Sequence, residues 1–266
     1  MTTETYDHGS DPSFVAYYAA ESQTAETRAR FERVRNRALE LLADNGRRGT
    51  QDVIDIGCGA GTQALLWAGV GHRVRALDVN QPLVAIGRER AAKAGVPVQF
   101  DVGTATALPY ANASADVVLM PELLEHVPEW ERCLEEAVRV VRPGGLLYIS
   151  TSNWLCPVQQ EFQLPVYSWY PPALKRWCER KAVTTHPHWV EHARYPAVNW
   201  FSFYGLSRWL QARGFRTFDR FDLLSTRALP KPARAAVTAV RAIPPLRLFA
   251  HMASEGTTVW ALRHRR

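Results

Sequence analysis

Residues 52–61 read DVIDIGCGAG, a β-branched apolar run that ends in three glycines at alternate positions, Gly57, Gly59 and Gly61. A strand of that composition, running through a Gly-rich turn into a helical pattern, opens a βαβ unit. Glycine is required at such a turn because the chain bends sharply and its backbone must approach a ligand with no Cβ between them. Asp55 stands two residues before the first glycine, and Asp78 closes the next strand candidate, 21 residues after Gly57. An acidic side chain at the end of a second strand accepts hydrogen bonds from the ribose hydroxyls of a nucleoside seated on the turn. The competing reading is an ordinary glycine turn in which Asp78 caps the following helix.

Outward from this stretch, apolar runs and helical patterns alternate from 51 to 151, which predicts a parallel sheet. The strand candidates are 52–56, 73–78, 96–100, 115–120 and 145–150, with helices over 62–70, 82–94 and 130–141 between them. The last helix runs into Arg142-Pro143-Gly144-Gly145, residues that stop a helix and turn the chain into a strand. Upstream, Phe31, Val34, Ala38, Leu41 and Leu42 recur at helical spacing between arginines, so 26–43 is an amphipathic leading helix. Downstream the rhythm breaks at 154–199, rich in Trp, Tyr, Pro and His, where short helices are expected because a structureless loop of that length is unusual. A helix over 203–213, a strand over 215–224, a basic proline-bounded helical segment over 230–253 and a last strand over 257–263 complete the pattern.

The 266 residues are 47% hydrophobic and 22% charged, with no uninterrupted apolar stretch long enough for a bilayer span, which excludes both an integral helical membrane protein and a disordered chain. The N-terminus is acidic and polar where a secretory signal is basic and then apolar, so an intracellular, cytoplasmic protein is expected. Four scattered cysteines make neither a disulfide framework nor a zinc site. The net charge of +6 conceals an asymmetry: residues 1–153 carry 15 Lys and Arg against 20 Asp and Glu, whereas 154–266 carry 17 against 6. Seven of the nine Trp also lie beyond residue 153, so the composition changes there.

The stretches VIDIGCGAGT (53–62), RALDVN (75–80), ALPY (107–110), ADVVLMPELLEHVPE (115–129) and RVVRPGGLLYIST (139–151) resemble the class I S-adenosylmethionine-dependent methyltransferases. MPELLEHV and ISTSN look most like the methyltransferase type 11 group that includes the ubiquinone-biosynthesis O-methyltransferases. A dinucleotide-binding domain would instead place its third glycine one residue later. The resemblance implies an α/β, Rossmann-like fold with a seven-stranded mixed sheet, and S-adenosyl-L-methionine as methyl donor. It implies that Asp55, Gly57, Cys58, Gly59 and Gly61 line the methionine end of that cofactor, that Asp78 and Val79 hold the ribose and the adenine edge, and that Met120 faces the methionine portion. Relatives carry an acid after strand three where this chain has Thr104, with Asp101 three residues earlier. The adenine contact is therefore assigned to Thr104 and Ala105, through backbone groups or the Thr hydroxyl.

Glu122, Glu125 and His126 stand at i, i+3 and i+4, so a helical turn opened by Pro121 would project them from one face. His126 then reads as a general base on an acceptor hydroxyl. Binding of a divalent magnesium or manganese ion by the three is a second reading, and a purely structural turn a third; no metal is predicted. His186, His188 and His192 lack the Cys or Asp that would complete a metal set and read as lining of a lid. The aromatic residues of 154–199 read partly as the core of the insertion and partly as walls of an acceptor pocket.

In the basic half the arginines are interleaved with Trp, Tyr and Leu, and Lys totals three, which fits an interfacial surface better than a nucleic-acid stripe. Arg234, Arg241 and Arg247 alternate with Val237, Val240, Ile243, Leu246, Leu248 and Phe249, so 229–253 suits peripheral contact with an anionic membrane. A lid packed over a soluble acceptor and a solvated basic face with no partner are the alternatives. The expected organisation is a helical cap (1–49), a cofactor-binding core (50–153), an aromatic insertion (154–202) and the C-terminal part of the sheet with the basic insertion (203–266). The expected reaction is methylation of a small lipophilic phenol or other hydroxyl. N-, C- or sugar O-methylation and a non-catalytic cofactor-binding scaffold are the alternatives.

Overall fold

A computed structural model describes residues 12–158, 162, 164–190, 197–227 and 229–265. Two compact units divide the chain: the first holds 1–123, 129–148 and 262–266, the second 124–128 and 149–261.

In the first unit, α1 (Pro12–Glu21) and α2 (Ala25–Asp44) precede β1 (Asp52–Ile56). Thr24 caps α2 by accepting from the Thr27 amide, and Val34, Ala38, Leu41 and Leu42 form its buried face, the stripe read from the sequence. The chain continues through α3 (Thr62–Ala68), β2 (Arg73–Asp78), α4 (Gln81–Ala94), β3 (Val98–Val102), β4 (Ala115–Pro121), α5 (Trp130–Val140) and β5 (Val141–Ser152). β2 and β4 flank β1 and β3 adds beyond β2, all parallel, with Val53 opposite Val117 and Asp78 opposite Val102. The strand order therefore reverses at β1 and β4, and the crevice outside their carboxyl ends is the place where open α/β sheets bind ligands.

Two expectations shift here. β3 begins two residues later than expected, because Gly95 ends α4 in the left-handed conformation and the Val96 amide closes back on Ala91 O, which uses up the residues before Val98. The Arg-Pro-Gly-Gly segment lies inside β5, not after a helix that reaches it: α5 ends at Val140 and Val141 is already extended. Arg142 reaches Asp52 at 2.6 Å and Asp116 at 3.0 Å, and Asp116 also accepts from the Asp52 amide, so one charged cluster pins the amino ends of β1 and β4. Arg73 and Arg142 hold the Asp52 carboxyl down at about 2. A Cβ on Gly145 would stand 2.9 Å from Asp116 O, so a glycine is what allows β5 and β4 to approach there.

In the second unit, α6 (Pro172–Thr184) and 3-10 turns at Tyr167–Trp169 and Pro187–Trp189 replace a structureless loop. Phe162, Tyr167, Cys178 and Ala182 form a core of their own, with Phe162 stacked on Tyr167 at 4.0 Å. α7 (Phe203–Gln211), β6 (Phe215–Phe218), α8 (Arg220–Leu223), α9 (Lys231–Ala242), α10 (Pro244–Met252) and β7 (Gly256–Arg263) follow. The strand expected over 215–224 stops at Phe218, because Asp219 and Asp222 form a reciprocal capping box that starts α8. The basic segment breaks into two helices at Pro244, as its prolines dictate. β5 and β7 run through both units, and the complete sheet has seven strands in the order β3-β2-β1-β4-β5-β7-β6. No helix among the described residues is long and apolar enough to cross a membrane.

Candidate functional site

The turn after β1 is held by backbone bonds: the amides of Gly57 and Cys58 both donate to Leu77 O of β2, at 2.8 and 3.1 Å. Its three glycines do three different jobs. All have positive φ, but a Cβ on Gly57 would meet Leu123 Cδ1 at 2.9 Å, and one on Gly61 would meet the Phe100 ring at 2.7 Å. Only Gly59 faces open space, with nothing within 4 Å of a built Cβ. Gly61 thus packs α3 against β3 and α4 on the side a Cβ would occupy. Arg90 donates to Ala60 O and to Ala19 O, and Gln23 donates to Thr62 Oγ1 at 2.7 Å, which fastens the leading helices beside the turn.

The Asp78 carboxylate is oriented by two amides at 2.8 Å, Gly59 N–H on Oδ2 and Asn80 N–H on Oδ1. It does not cap α4; Asn80 does so, accepting from the Leu83 amide at 3.0 Å. Asp78 is left as a half-buried acceptor of fixed direction beside the open face of Gly59. Val79 and Val102 stand exposed at the ends of neighbouring strands, and Gly103 N–H closes on Asp78 O at 3.0 Å. Two exposed valines at adjacent strand ends make an apolar edge of the kind a flat aromatic ring covers. Val102 was not singled out by motif reading, although an apolar residue just before Gly103 is the signal that marks it.

Asp55 is 1% exposed, and neither carboxylate oxygen accepts a well-aligned hydrogen bond among the described residues, the Ala64 amide acting on it only weakly. Burial and the nearby Asp78 charge raise its carboxyl to about 7, against a weaker opposing pull from the Ala64 amide. An orphaned buried carboxyl is expensive, and a cation or hydrogen-bond donor brought to it would recover that cost. Burial and the carboxylates of Asp78 and Asp55 push the Cys58 thiol well up, which disfavours the thiolate. None of the four cysteines, all among the described residues, forms a disulfide.

Thr104 lies exposed beyond β3, its hydroxyl 2.9 Å from that of Thr106, while Ala105 is buried. Asp101 is committed elsewhere: it lies within β3, and Tyr110 donates to it at 3.0 Å. Met120 is fully buried in β4, with no surface open to a ligand.

Glu122, Glu125 and His126 do not share a helical face. Glu122 adopts a left-handed backbone (φ 49°), which breaks the turn, and the 3-10 helix covers only Leu124–His126. Glu122 is exposed, 3.9 Å from Arg30. Glu125 is buried, and the Thr151 hydroxyl donates to its Oε2 at 2.8 Å. His126 is half-buried. No group of three or more His, Cys, Asp or Glu among the described residues is arranged to hold a metal ion. His186 and His188 lie with ring centroids 5.8 Å apart, and His192 lies outside the described residues.

A switch-point crevice with a bare Gly59 backbone, an amide-braced acid on β2 and an orphaned carboxyl on β1 defines a class I, Rossmann-like nucleoside-binding fold. Residues 54–149 match the family described as a methyltransferase domain. Over 101 residues the chain is 38% identical to the ubiquinone biosynthesis O-methyltransferase of Sinorhizobium fredii, a match covering 38% of this chain and 41% of that one. The chain thus spans about two fifths of the length of that curated relative. The S-adenosylmethionine-dependent methyltransferase of Mesorhizobium loti shares the fold at a TM-score of 0.54, with 17% identity over 85% of this chain and 98% of its own. The [4+2]-cyclase SpnF also shares it, at a TM-score of 0.51 and 21% identity over 86% of this chain and 81% of that one. Residues 54–149 are thus similar to a methyltransferase domain, set on a class I, Rossmann-like fold.

Proposed function

We propose that the protein is a methyltransferase that uses S-adenosyl-L-methionine to methylate a hydroxyl on a small lipophilic acceptor, a phenol foremost. The observation that carries the cofactor assignment is the pairing of Gly59, open to close approach, with Asp78, whose carboxylate the Gly59 and Asn80 amides aim. The residues fit the group: Asp78 would accept from the ribose hydroxyls, Val79 and Val102 would flank the adenine, Thr104 and Ala105 would offer backbone groups to it, and the buried Asp55 carboxyl would suit a cationic ammonium. The cofactor supplies an electrophilic methyl on a sulfonium sulfur. The protein's share is to align the acceptor, exclude water and take up the hydroxyl proton. His126 is proposed as the proton acceptor, imidazole being the side chain suited to take up a proton near neutral pH.

Support for a hydroxyl acceptor comes from the relatives named as O-methyltransferases. Support for a lipophilic one comes from the insertion over 154–202, which exposes Trp154, Trp169 and Trp177 around its own aromatic core and is proposed as the acceptor lid. The SpnF likeness shows that this fold also hosts a cyclase, so the methyl transfer itself must be measured. Calorimetry with S-adenosylhomocysteine tests the cofactor site: Asp78→Ala is expected to weaken binding by about 1.5–3 kcal/mol, the scale of hydrogen bonds to a charged group. Transfer of labelled methyl to a panel of alkylated phenols and catechols, against matched amines and thiols, tests the acceptor class. No binding by the wild type, or labelling of amines alone, defeats the respective part.

A peripheral membrane contact through 229–253 is proposed with it. α10 and the residue before it expose Ile243, Leu246, Leu248 and Phe249, the last at 65%, and Arg227, Lys231 and Arg234 are exposed ahead of and along α9. Apolar side chains beside cations suit an anionic lipid surface.

A further inference from the structure

The short turn that carries His126 is gripped by the far end of the aromatic insertion. Asn199 Nδ2 donates to Leu124 O at 3.1 Å and to Val127 O at 2.7 Å, so one amide bridges both ends of the 3-10 helix Leu124–His126. The backbone amides of Val198 and Asn199 donate to Glu125 O at 2.8 and 3.1 Å. The Glu125 side chain, buried, is held in turn by the Thr151 hydroxyl at the end of β5. Five hydrogen bonds thus converge on four consecutive residues, 124–127, and four of the five come from Val198 and Asn199.

The sequence alone does not explain such a grip. A 3-10 turn of three residues has one internal hydrogen bond, here Val127 N–H to Leu124 O at 3.4 Å, which is too weak to fix the direction of a side chain. Without Asn199, Val127 O would be a turn carbonyl open to water or unpaired, and Leu124 O would keep only that long bond. The side-chain amide of Asn199 satisfies both, and no other residue type of its size offers two donors on one planar group. The same short segment leads back to the insertion: Trp200 follows, its ring edge-on to Tyr167 at 5.7 Å, and Lys175 Nζ of α6 lies 3.8 Å over that ring.

We propose that Asn199 is a positioning residue for His126, and that the insertion, through Val198 and Asn199, sets the orientation of that imidazole. This rests on His126 being the proton acceptor. An acceptor that fills the insertion would then register on the turn through the same segment, which couples acceptor recognition to proton removal.

The test is NMR of the histidine imidazoles in the full chain, with His251, buried in the same unit, as internal control. In Asn199→Ala the His126 resonances are expected to move and broaden while those of His251 stay in place. Affinity for S-adenosylhomocysteine should stay within about two-fold, as for a site that does not share the substituted group's contacts. If Asn199→Ala does not fold, Asn199→Asp serves, because it keeps the shape and removes both donors. His126 resonances that superimpose on the wild type in the folded variant overturn the proposal, and so does an equal disturbance of His251, which marks a general structural role. Loss of S-adenosylhomocysteine binding by the wild type would defeat the cofactor reading instead, and leaves the His126 comparison readable.

Discussion

The Gly59 amide donates to Oδ2 of Asp78 at 2.8 Å, so the one glycine of the turn that faces open space also aims the acid of the neighbouring strand. The bare backbone and the hydrogen-bond acceptor are thereby set against each other before any ligand arrives. Such preorganisation lowers the ordering cost of binding.

The glycines should separate in their effects. Gly61→Ala drives a methyl into the Phe100 ring and is expected to cost about 1–3 kcal/mol of stability through overpacking. Gly59→Ala meets nothing and costs only left-handed strain of about 1 kcal/mol, but its methyl occupies the ligand side of the turn. Thermal unfolding combined with S-adenosylhomocysteine calorimetry checks this. Equal affinity in Gly59→Ala and the wild type would show that no ligand comes close to that backbone.

Asp55 should make the fold pH-dependent. Its folded-state carboxyl titrates at about 7 against an ordinary 3.8. A raised acid favours the fold while protonated, so its contribution is full below about pH 4 and is lost as pH rises through 7, a swing of about 4 kcal/mol in order of magnitude. Urea unfolding of the wild type and Asp55→Asn between pH 5 and 8 reads it: stability of the wild type should fall relative to the variant as pH rises. Affinity for S-adenosylhomocysteine, whose ammonium prefers the ionised carboxylate, should run the other way and flatten in Asp55→Asn. Parallel stability curves would contradict the shift.

The three residues once grouped by spacing should behave unlike one another. His126→Ala is expected to lower kcat by about 10² with cofactor affinity preserved, the scale of a lost general base. Glu125→Ala strands the buried Thr151 hydroxyl and should destabilise by about 1–3 kcal/mol, whereas Glu125→Gln keeps an acceptor and should be mild. Glu122→Gln removes an exposed pair with Arg30 and should change stability by less than about 1 kcal/mol. Full turnover in His126→Ala would leave the turn a structural role alone.

Membrane contact should depend on some arginines and not others. Arg247 pairs with buried Asp219 at 2.7 Å and with Asp222 at 2.6 Å, and Arg241 donates to the carbonyls of Phe221, Asp222 and Leu224. These two serve the fold, which corrects the expectation that both stand at a lipid-facing rim. Arg247→Ala leaves the Asp219 charge with one partner fewer and should cost about 3–5 kcal/mol. Flotation on anionic vesicles should instead be weakened by Phe249→Ser and by joint alanine substitution of Arg227, Lys231 and Arg234, and by raised salt. Failure of the wild type to float, or a concentration-dependent dimer that buries Phe249, points to a soluble protein or to self-association.

Most of the sheet could be read along the chain, because strand and helix periodicity and glycine turns are local signals. VIDIGCGAGT, Asp78 and the Arg-Pro-Gly-Gly segment carried the class of fold on their own. What periodicity could not reach were matters of contact between distant residues. Spacing made Gly57, Gly59 and Gly61 equivalent, and only Leu123 and Phe100 packing against two of them singled out the third. Spacing likewise put Glu122 on the face of Glu125 and His126, an inference that assumes helical dihedrals throughout; a single left-handed residue at 122 removes that premise. Arg234, Arg241 and Arg247 look alike as text, yet Arg234 makes only long, exposed bonds to the nearby carbonyls of Arg227 and Leu229, while the other two reach carbonyls and carboxylates up to 28 residues away. Asn199 bears no mark in the chain at all, because its role exists only once the fold brings residues 72 and 75 positions apart within hydrogen-bonding range.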